Sequence, residues 1–223
     1  MKKIMFDHRR FGLEQAVLNR KKIMTRRAVR LPDRLTAELI YDPVMGIDQR
    51  GKVYFTVDSI AGKRDLYPQY QVGEVVAVAQ AYINVYKGRT VNGSFYDWCK
   101  ARDLDPHEEI EKMEALKREQ GWDNKMFVRA DLMPHRIKIT NIGLERMQDI
   151  SDEDCRKEGI VQLRTTVADH ETVSYIYKGI RLVDVLAFKE PRAAFRSLIT
   201  KMMGKKVWDD NPWVWVYEFE LVK

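Results

Sequence analysis

Strand-like alternation of apolar and polar positions dominates the chain, and helical spacing is confined to short stretches. Residues 3–6, KIMF, read as a short strand, and GLEQAVLNRKK after them places Leu13, Ala16 and Val17 along one helical face. IMTRRAV then returns to a β pattern through Ile23, Thr25 and Val29, with Pro32 ending it. Lys22 therefore falls at a helix-to-strand junction and Thr25 on the strand. ELIYDPVMGIDQRGKVYFTVD predicts a hairpin, two apolar runs around a Gly-rich connection. GEVVAVAQAYINVY, residues 73–86, predicts one continuous strand, entered through a turn at Gly73.

From about residue 90 to 123 the chain becomes charged and helix-forming, split at Asp105-Pro106, with Pro106 suited to the first turn of a second helix. HRIKITNIGLERM, residues 135–147, predicts a strand ended by Gly143. Ser151 opens a helix with Asp154 at capping-box distance, and Gly159 closes it. Glu158 then lies in the last helical turn, where a negative charge opposes the helix dipole. Residues 161–190 predict a second hairpin-like excursion, and PRAAFRSLITKMMG a helix from Pro191 to Gly204. In the terminal segment NPWVWVYEFELVK, Trp213, Trp215, Tyr217 and Phe219 share one face of a strand. These elements predict an α+β fold: one domain over residues 1–223, a small mixed β-barrel with flanking helices and insertions at about 90–123 and 161–190.

Charge sharpens the picture. The formal net charge is +6, yet residues 1–30 hold ten Lys and Arg against Asp7 and Glu14, so the rest of the chain is slightly acidic. The stretch NRKKIMTRRAVR places Arg20, Lys21, Lys22, Arg26, Arg27 and Arg30 within a few turns of chain without an acid, the pattern of a polyanion-binding surface. No run approaches the roughly 20 apolar residues of a membrane-spanning helix, and the N-terminus lacks a signal-peptide core, so a cytoplasmic protein with no membrane partner is expected. Cys99 and Cys155 are far apart and lack metal-ligand partners, and His8, His107, His135 and His170 show no metal spacing; neither a metal nor a cofactor is expected.

Two chemistries compete at the basic stretch. A threonine hydroxyl becomes nucleophilic when a nearby amine takes its proton, and Lys21, Arg26 and Arg27 would disfavour the charged form of Lys22. Alternatively Lys22 is a solvated phosphate contact and Thr25 an ordinary strand residue. Arg20, Lys21, Arg26, Arg27 and Arg30 suit phosphate contacts, or else a charged edge strand that resists aggregation. Glu158 is either a general acid or base or a solvated surface acid. Trp208, Tyr67, Tyr70 and Tyr82 are candidates for stacking on bases, with Trp208 expected to be exposed among Lys205, Lys206, Asp209 and Asp210, whereas Trp213 and Trp215 are expected in the core.

VLNRKKIMTRR, YQVGEVVAVAQAY, MPHRIKITNIGLERMQDISDEDCRKEGI and NPWVWVYEFELV, in that order, resemble the ASCH domain, particularly its phage and prophage members. Asn19 stands at that family's glycine, with Asn tolerating left-handed backbone, and Gln80 stands where a glutamate is common. The resemblance implies a PUA-like barrel associated with RNA. Some small bacterial members remove the acetyl group of N4-acetylcytidine; the resemblance carries their lysine, threonine and glutamate onto Lys22, Thr25 and Glu158, and their second arginine onto Arg27. The leading expectation is thus an RNA-related protein that interacts with nucleic acid or nucleotides. Its partner would be RNA, a single-stranded nucleic acid or a modified nucleoside, and nothing in the pattern specifies an oligomeric state. The alternatives are an amidohydrolase of N4-acetylcytidine-type nucleosides and a phage accessory module that binds protein.

Overall fold

The computed structural model describes residues 1–31, 41–59, 62–88, 95–167, 170–177 and 187–222. These form two compact units. The first comprises Met1–Phe6, Val75–Ile137 and Val222–Lys223, the second Asp7–Glu74 and Lys138–Leu221. The fold is α+β, as the patterning predicts, and among the described residues none of its sheets closes into a barrel.

In the first unit β1 (Lys3–Ile4) runs parallel to β6 (Val75–Val78), with Lys3 beside Ala77 and Ile4 beside Val78. The strand expected over 73–86 is only four residues long. Residues Tyr82–Gly88 instead form α2. Their β-branched residues favour strand weakly, and packing overrides that preference. Tyr82 is fully buried, its ring in one cluster with Ala77, Ala79, Val128 and Met133, while its hydroxyl accepts a hydrogen bond from Arg129 N at 2.9 Å. Facing one side with Tyr86, one helical turn on, satisfies that burial better than extended backbone would. The helical excursion is α3 (Phe95–Lys100) followed by α4 (Pro106–Lys117); residues 90–94 of the expected insertion lie outside the described residues. Asp105 caps α4 by accepting from His107 N at 2.8 Å, and Pro106 occupies the first turn where its missing N–H costs nothing.

The second unit contains α1 (Leu13–Leu18), β2 (Met24–Ala28), a three-stranded sheet of β3 (Tyr41–Ile47), β4 (Val53–Ser59) and β5 (Gly62–Leu66), then α5 (Asp152–Lys157), the hairpin β8 (Ile160–Val167) with β9 (His170–Tyr177), α6 (Pro191–Met203), α7 (Lys205–Asp209) and β10 (Trp213–Val222). The predicted hairpin at 38–58 is β3 and β4, residues 38–40 lying outside the described residues, and β5 extends it by a strand that the patterning did not single out. The excursion at 161–190 is β8 and β9; residues 178–186 lie outside the described residues. β7 (Arg136–Arg146) begins in the first unit and continues in the second, where β10 lies between it and β2.

Gly143 does not end β7, which continues three residues further. A Cβ at Gly143 would meet Val216 Cβ at 3.6 Å, an ordinary van der Waals contact, and the residue has no positive φ, so neither a turn nor a close approach marks it. β10 supplies the centre of the core: Trp213, Trp215, Tyr217 and Phe219 are all buried, as the period-2 stripe predicts, and Val214 and Val216 are buried too. Antiparallel pairing sets Tyr217 opposite Thr25, Val216 opposite Arg26 and Trp215 opposite Arg27.

α5 is built as its sequence dictates. Ser151 Oγ accepts from Asp154 N at 3.0 Å, acids occupy the first turn, and Gly159, at φ +104°, reverses the chain after Glu158. Gly159→Ala forces a side chain into a conformation that L-residues rarely adopt, with the new Cβ 3.5 Å from Lys22 Cβ. Thermal denaturation should show a loss of about 1–3 kcal/mol for this variant.

Candidate functional site

Lys22 reaches the interior because of how α1 ends. Arg20 takes the left-handed conformation (φ 57°), and Lys21 N and Lys22 N both donate to Ala16 O at 2.8 and 3.0 Å. Asn19, expected to supply the left-handed residue, has φ −89°; the position after it bends the chain. Ile23 then joins two elements, its N–H donating to Lys157 O and its carbonyl accepting from Phe219 N, both at 2.9 Å. This backbone anchor turns Lys22 towards the end of α5.

There Lys22 Nζ donates to the Glu158 carbonyl at 2.9 Å and also to the Glu158 carboxylate. Both side chains are buried, Lys22 at 2 % and Glu158 at 4 % exposure. Glu158 thus stands just beyond the last helical turn, at the C-cap, and not inside that turn as its spacing suggested. The ammonium answers the charge conflict at the helix end, since it binds a terminal carbonyl as well as the carboxylate. Burial lowers the Lys22 pKa below the usual lysine range; Glu158 opposes that shift, and Arg27 and Arg26 add to it.

Successive residues of β2 point to opposite faces. On one face Arg26 donates through Nε to Glu145 at 2.9 Å, and its terminal nitrogens reach Asp154 at 3.2 Å and Glu158 Oε1 at 3.3 Å. Burial disfavours its charge, but Glu158, Glu145 and Asp154 together hold its pKa above the ordinary arginine value. Arg26 was expected among the phosphate contacts; its donors are instead committed to internal carboxylates, because its face of β2 packs towards β7 and α5.

The opposite face carries Thr25 and Arg27. Thr25 is buried opposite Tyr217, and among the described residues it forms no side-chain hydrogen bond with Lys22 or Glu158. Arg27 lines a cavity of about 460 Å³ with Arg30, Asp65, Tyr67, Trp215 and Tyr217. Burial lowers the Arg27 pKa against the opposing pull of Tyr70, Glu158 and Tyr217, so its charge links the cavity to the Lys22–Glu158 pair. Burial also pushes the Tyr217 hydroxyl up to about 12, although that oxygen accepts from Gln69 N at 3.1 Å.

The remaining expected site residues are distributed unevenly. Arg20 and Lys21 are exposed beside α1, and Arg30 is exposed at the cavity. Trp208 is not exposed: it is buried with its ring edge-on to Phe195, centroids 6.3 Å apart, because α7 folds back on α6. Tyr70 is buried edge-on to Tyr217 at 5.2 Å. Neither ring is an open stacking platform; the exposed aromatic at the cavity is Tyr67. Sequence reading missed Glu145, Asp154 and Asp65 as members of the site, while Tyr67 was among its aromatic candidates. Only the alternation of Arg26 against Arg27 signalled that one arginine would turn inward.

Both cysteines are buried, and burial raises the Cys155 thiol to about 12. A thiol reagent at pH 8 should leave the folded protein unlabelled and modify two thiols after denaturation. Among the described residues no cluster of three His, Cys, Asp or Glu side chains could hold a metal ion, and no helix is long and apolar enough to cross a membrane. No family model, curated protein or solved structure matches the chain.

Proposed function

We propose that the protein binds a nucleotide-type ligand, a planar base with an anionic phosphate, in the cavity beside β2 and β10. The observation that supports this is the pairing of guanidinium and aromatic groups there: Arg27 and Arg30 with Tyr67, Trp215 and Tyr217. Its volume of about 460 Å³ suits a small molecule, within the range of roughly 300–1,000 Å³ common to such sites. Arginines offer planar paired donors to phosphate, aromatic faces stack on any base, and Asp65 can accept from an exocyclic amine. The ASCH resemblance of the sequence supports the same reading, with a PUA-like barrel as parent architecture, RNA or a modified nucleoside as the source of the base, and a cytoplasmic setting. Calorimetric titration with cytidine 5′-monophosphate and with cytidine tests it. The nucleotide should bind more tightly, and its advantage should shrink as salt rises. Equal affinities insensitive to salt would sink the reading.

A second reading, hydrolysis of the N4-acetyl amide of cytidine, is favoured by the buried Lys22–Glu158 pair. Here the Lys22 ammonium first passes its proton to the Glu158 carboxylate; Thr25 Oγ1 then bonds to the amide carbonyl carbon as its own proton passes to neutral Lys22, and Glu158 delivers its proton to N4 as the C–N bond breaks. Water then cleaves the Thr25 ester, releasing acetate. Because Lys22 is held by Glu158, this route requires Lys22 to turn towards Thr25 when substrate enters. Acetate release by the wild type, abolished in Thr25→Ala and Lys22→Ala, is the expected result; absence of release from the wild type removes this reading.

A further inference from the structure

We propose that Arg26 is a positioning residue: held by Glu145 and Asp154 on its face of β2, it engages one carboxylate oxygen of Glu158 and so leaves the other to Lys22. The proposal rests on the reading in which the Lys22–Glu158 pair works on a ligand, and it adds the group that sets the pair's geometry and charge.

Each oxygen of Glu158 has its own cation. Oε1 receives Arg26 Nη1 at 3.3 Å, and Oε2 receives Lys22 Nζ. Arg26 itself cannot swing away, since Glu145 takes its Nε at 2.9 Å, Asp154 lies 3.2 Å from Nη2 and the Met24 sulfur 3.2 Å from Nη1. A planar guanidinium serves three carboxylates in fixed directions, which a lysine ammonium would not. For stability alone such a buried cluster is a poor investment, because a well-packed apolar set of similar volume is often as stable or more so. The arrangement instead makes sense as a way of presenting Glu158 in one orientation to Lys22.

Arg26 also acts on Lys22 electrostatically, in two ways with the same sign. Its charge disfavours the Lys22 ammonium, and its hold on Oε1 draws part of the Glu158 charge away from Lys22. The groups that set this balance are Asp154, Cys155 and Glu158 at α5, Glu145 on β7, and Arg26 and Arg27 on β2. Removing Arg26 should therefore raise the Lys22 titration. Neutralising Glu145, which lies on the side of Arg26 away from Lys22, should lower it, because Arg26 then stands less compensated.

The intact protein labelled with ¹³Cε-lysine allows the Lys22 resonance to be followed by NMR against pH, assigned by its absence in Lys22→Arg. Arg26→Gln is expected to move the Lys22 midpoint up by about one pH unit, and Glu145→Gln to move it down. A midpoint unchanged in Glu145→Gln, or raised in both variants, would overturn the proposal. If Arg26→Gln fails to fold, Glu145→Gln decides alone, since that carboxylate is 30 % exposed and touches neither Lys22 nor Glu158. Turnover of N4-acetylcytidine is measured in parallel. A wild type without turnover ends the hydrolytic reading, while the lysine titration still decides the role of Arg26. With turnover, the pH profile of kcat in Glu145→Gln should shift to lower pH together with the Lys22 midpoint at constant KM, the signature of an altered reacting group and not of lost ligand contacts.

Discussion

Glu158→Ala is expected to destabilise the protein by about 3–5 kcal/mol, the usual cost of removing one partner from a buried ion pair. Lys22 loses its carboxylate partner and Arg26 one of its three, and both cations are buried. For a chain of this length the loss corresponds to a fall in Tm of roughly 10 °C. The pH dependence of the variant identifies the cause. With the Glu158 carboxylate gone, its pull no longer opposes the burial that already lowers the Lys22 pKa from 10.5, so the folded state sheds this proton at lower pH than the unfolded chain does. Between those two values the unfolded state binds more protons, and the stability of Glu158→Ala should rise with pH up to about 10.5. Thermal melts across that range provide the check; a loss that does not vary with pH would place the defect elsewhere.

Arg27→Ala should weaken nucleotide binding by about 10- to 100-fold, the loss of one charge-assisted contact to phosphate. Its effect on stability should differ from that of Glu158→Ala. The Arg27 guanidinium is desolvated, which lowers its pKa, and its charge disfavours the neighbouring Lys22 ammonium. Removing it relieves both penalties while giving up the pull of Tyr70, Glu158 and Tyr217, so Tm should fall far less than in Glu158→Ala even as affinity is lost. Loss of binding with little loss of stability is the behaviour of a residue kept for a ligand. Calorimetry for affinity and calorimetric melts for stability, on the same samples, separate the two effects.

Much of the chain was legible because burial wrote itself into period and punctuation. The stripe Trp213, Trp215, Tyr217 and Phe219 foretold a buried terminal strand, and Ser151 with Gly159 bracketed α5. Ile83 and Val85 misled, since their preference for strand is weak beside the demand that Tyr82 enter a core assembled from residues near 77, 128 and 133. Gly143 misled because a glycine ends a strand only where the backbone turns, and this one stays within the strand with no positive φ. The candidate site divides along the same line. Spacing put Lys22 at a junction but grouped Arg26 with Arg27 as phosphate contacts, because the partners of Arg26, at Glu145, Asp154 and Glu158, lie more than a hundred residues away along the chain. Trp208 looked exposed because charged neighbours surround it in sequence, while its burial comes from Phe195 on the preceding helix.

The cavity beside β2 and β10 is where this account is most directly at risk. Trp215 lines it together with Arg27, so a bound base should alter tryptophan emission. Titration of the intact protein with cytidine 5′-monophosphate should give a saturable change in that emission, absent from Arg27→Ala over the same concentrations. No saturable change in the wild type, or an identical titration in Arg27→Ala, would contradict it.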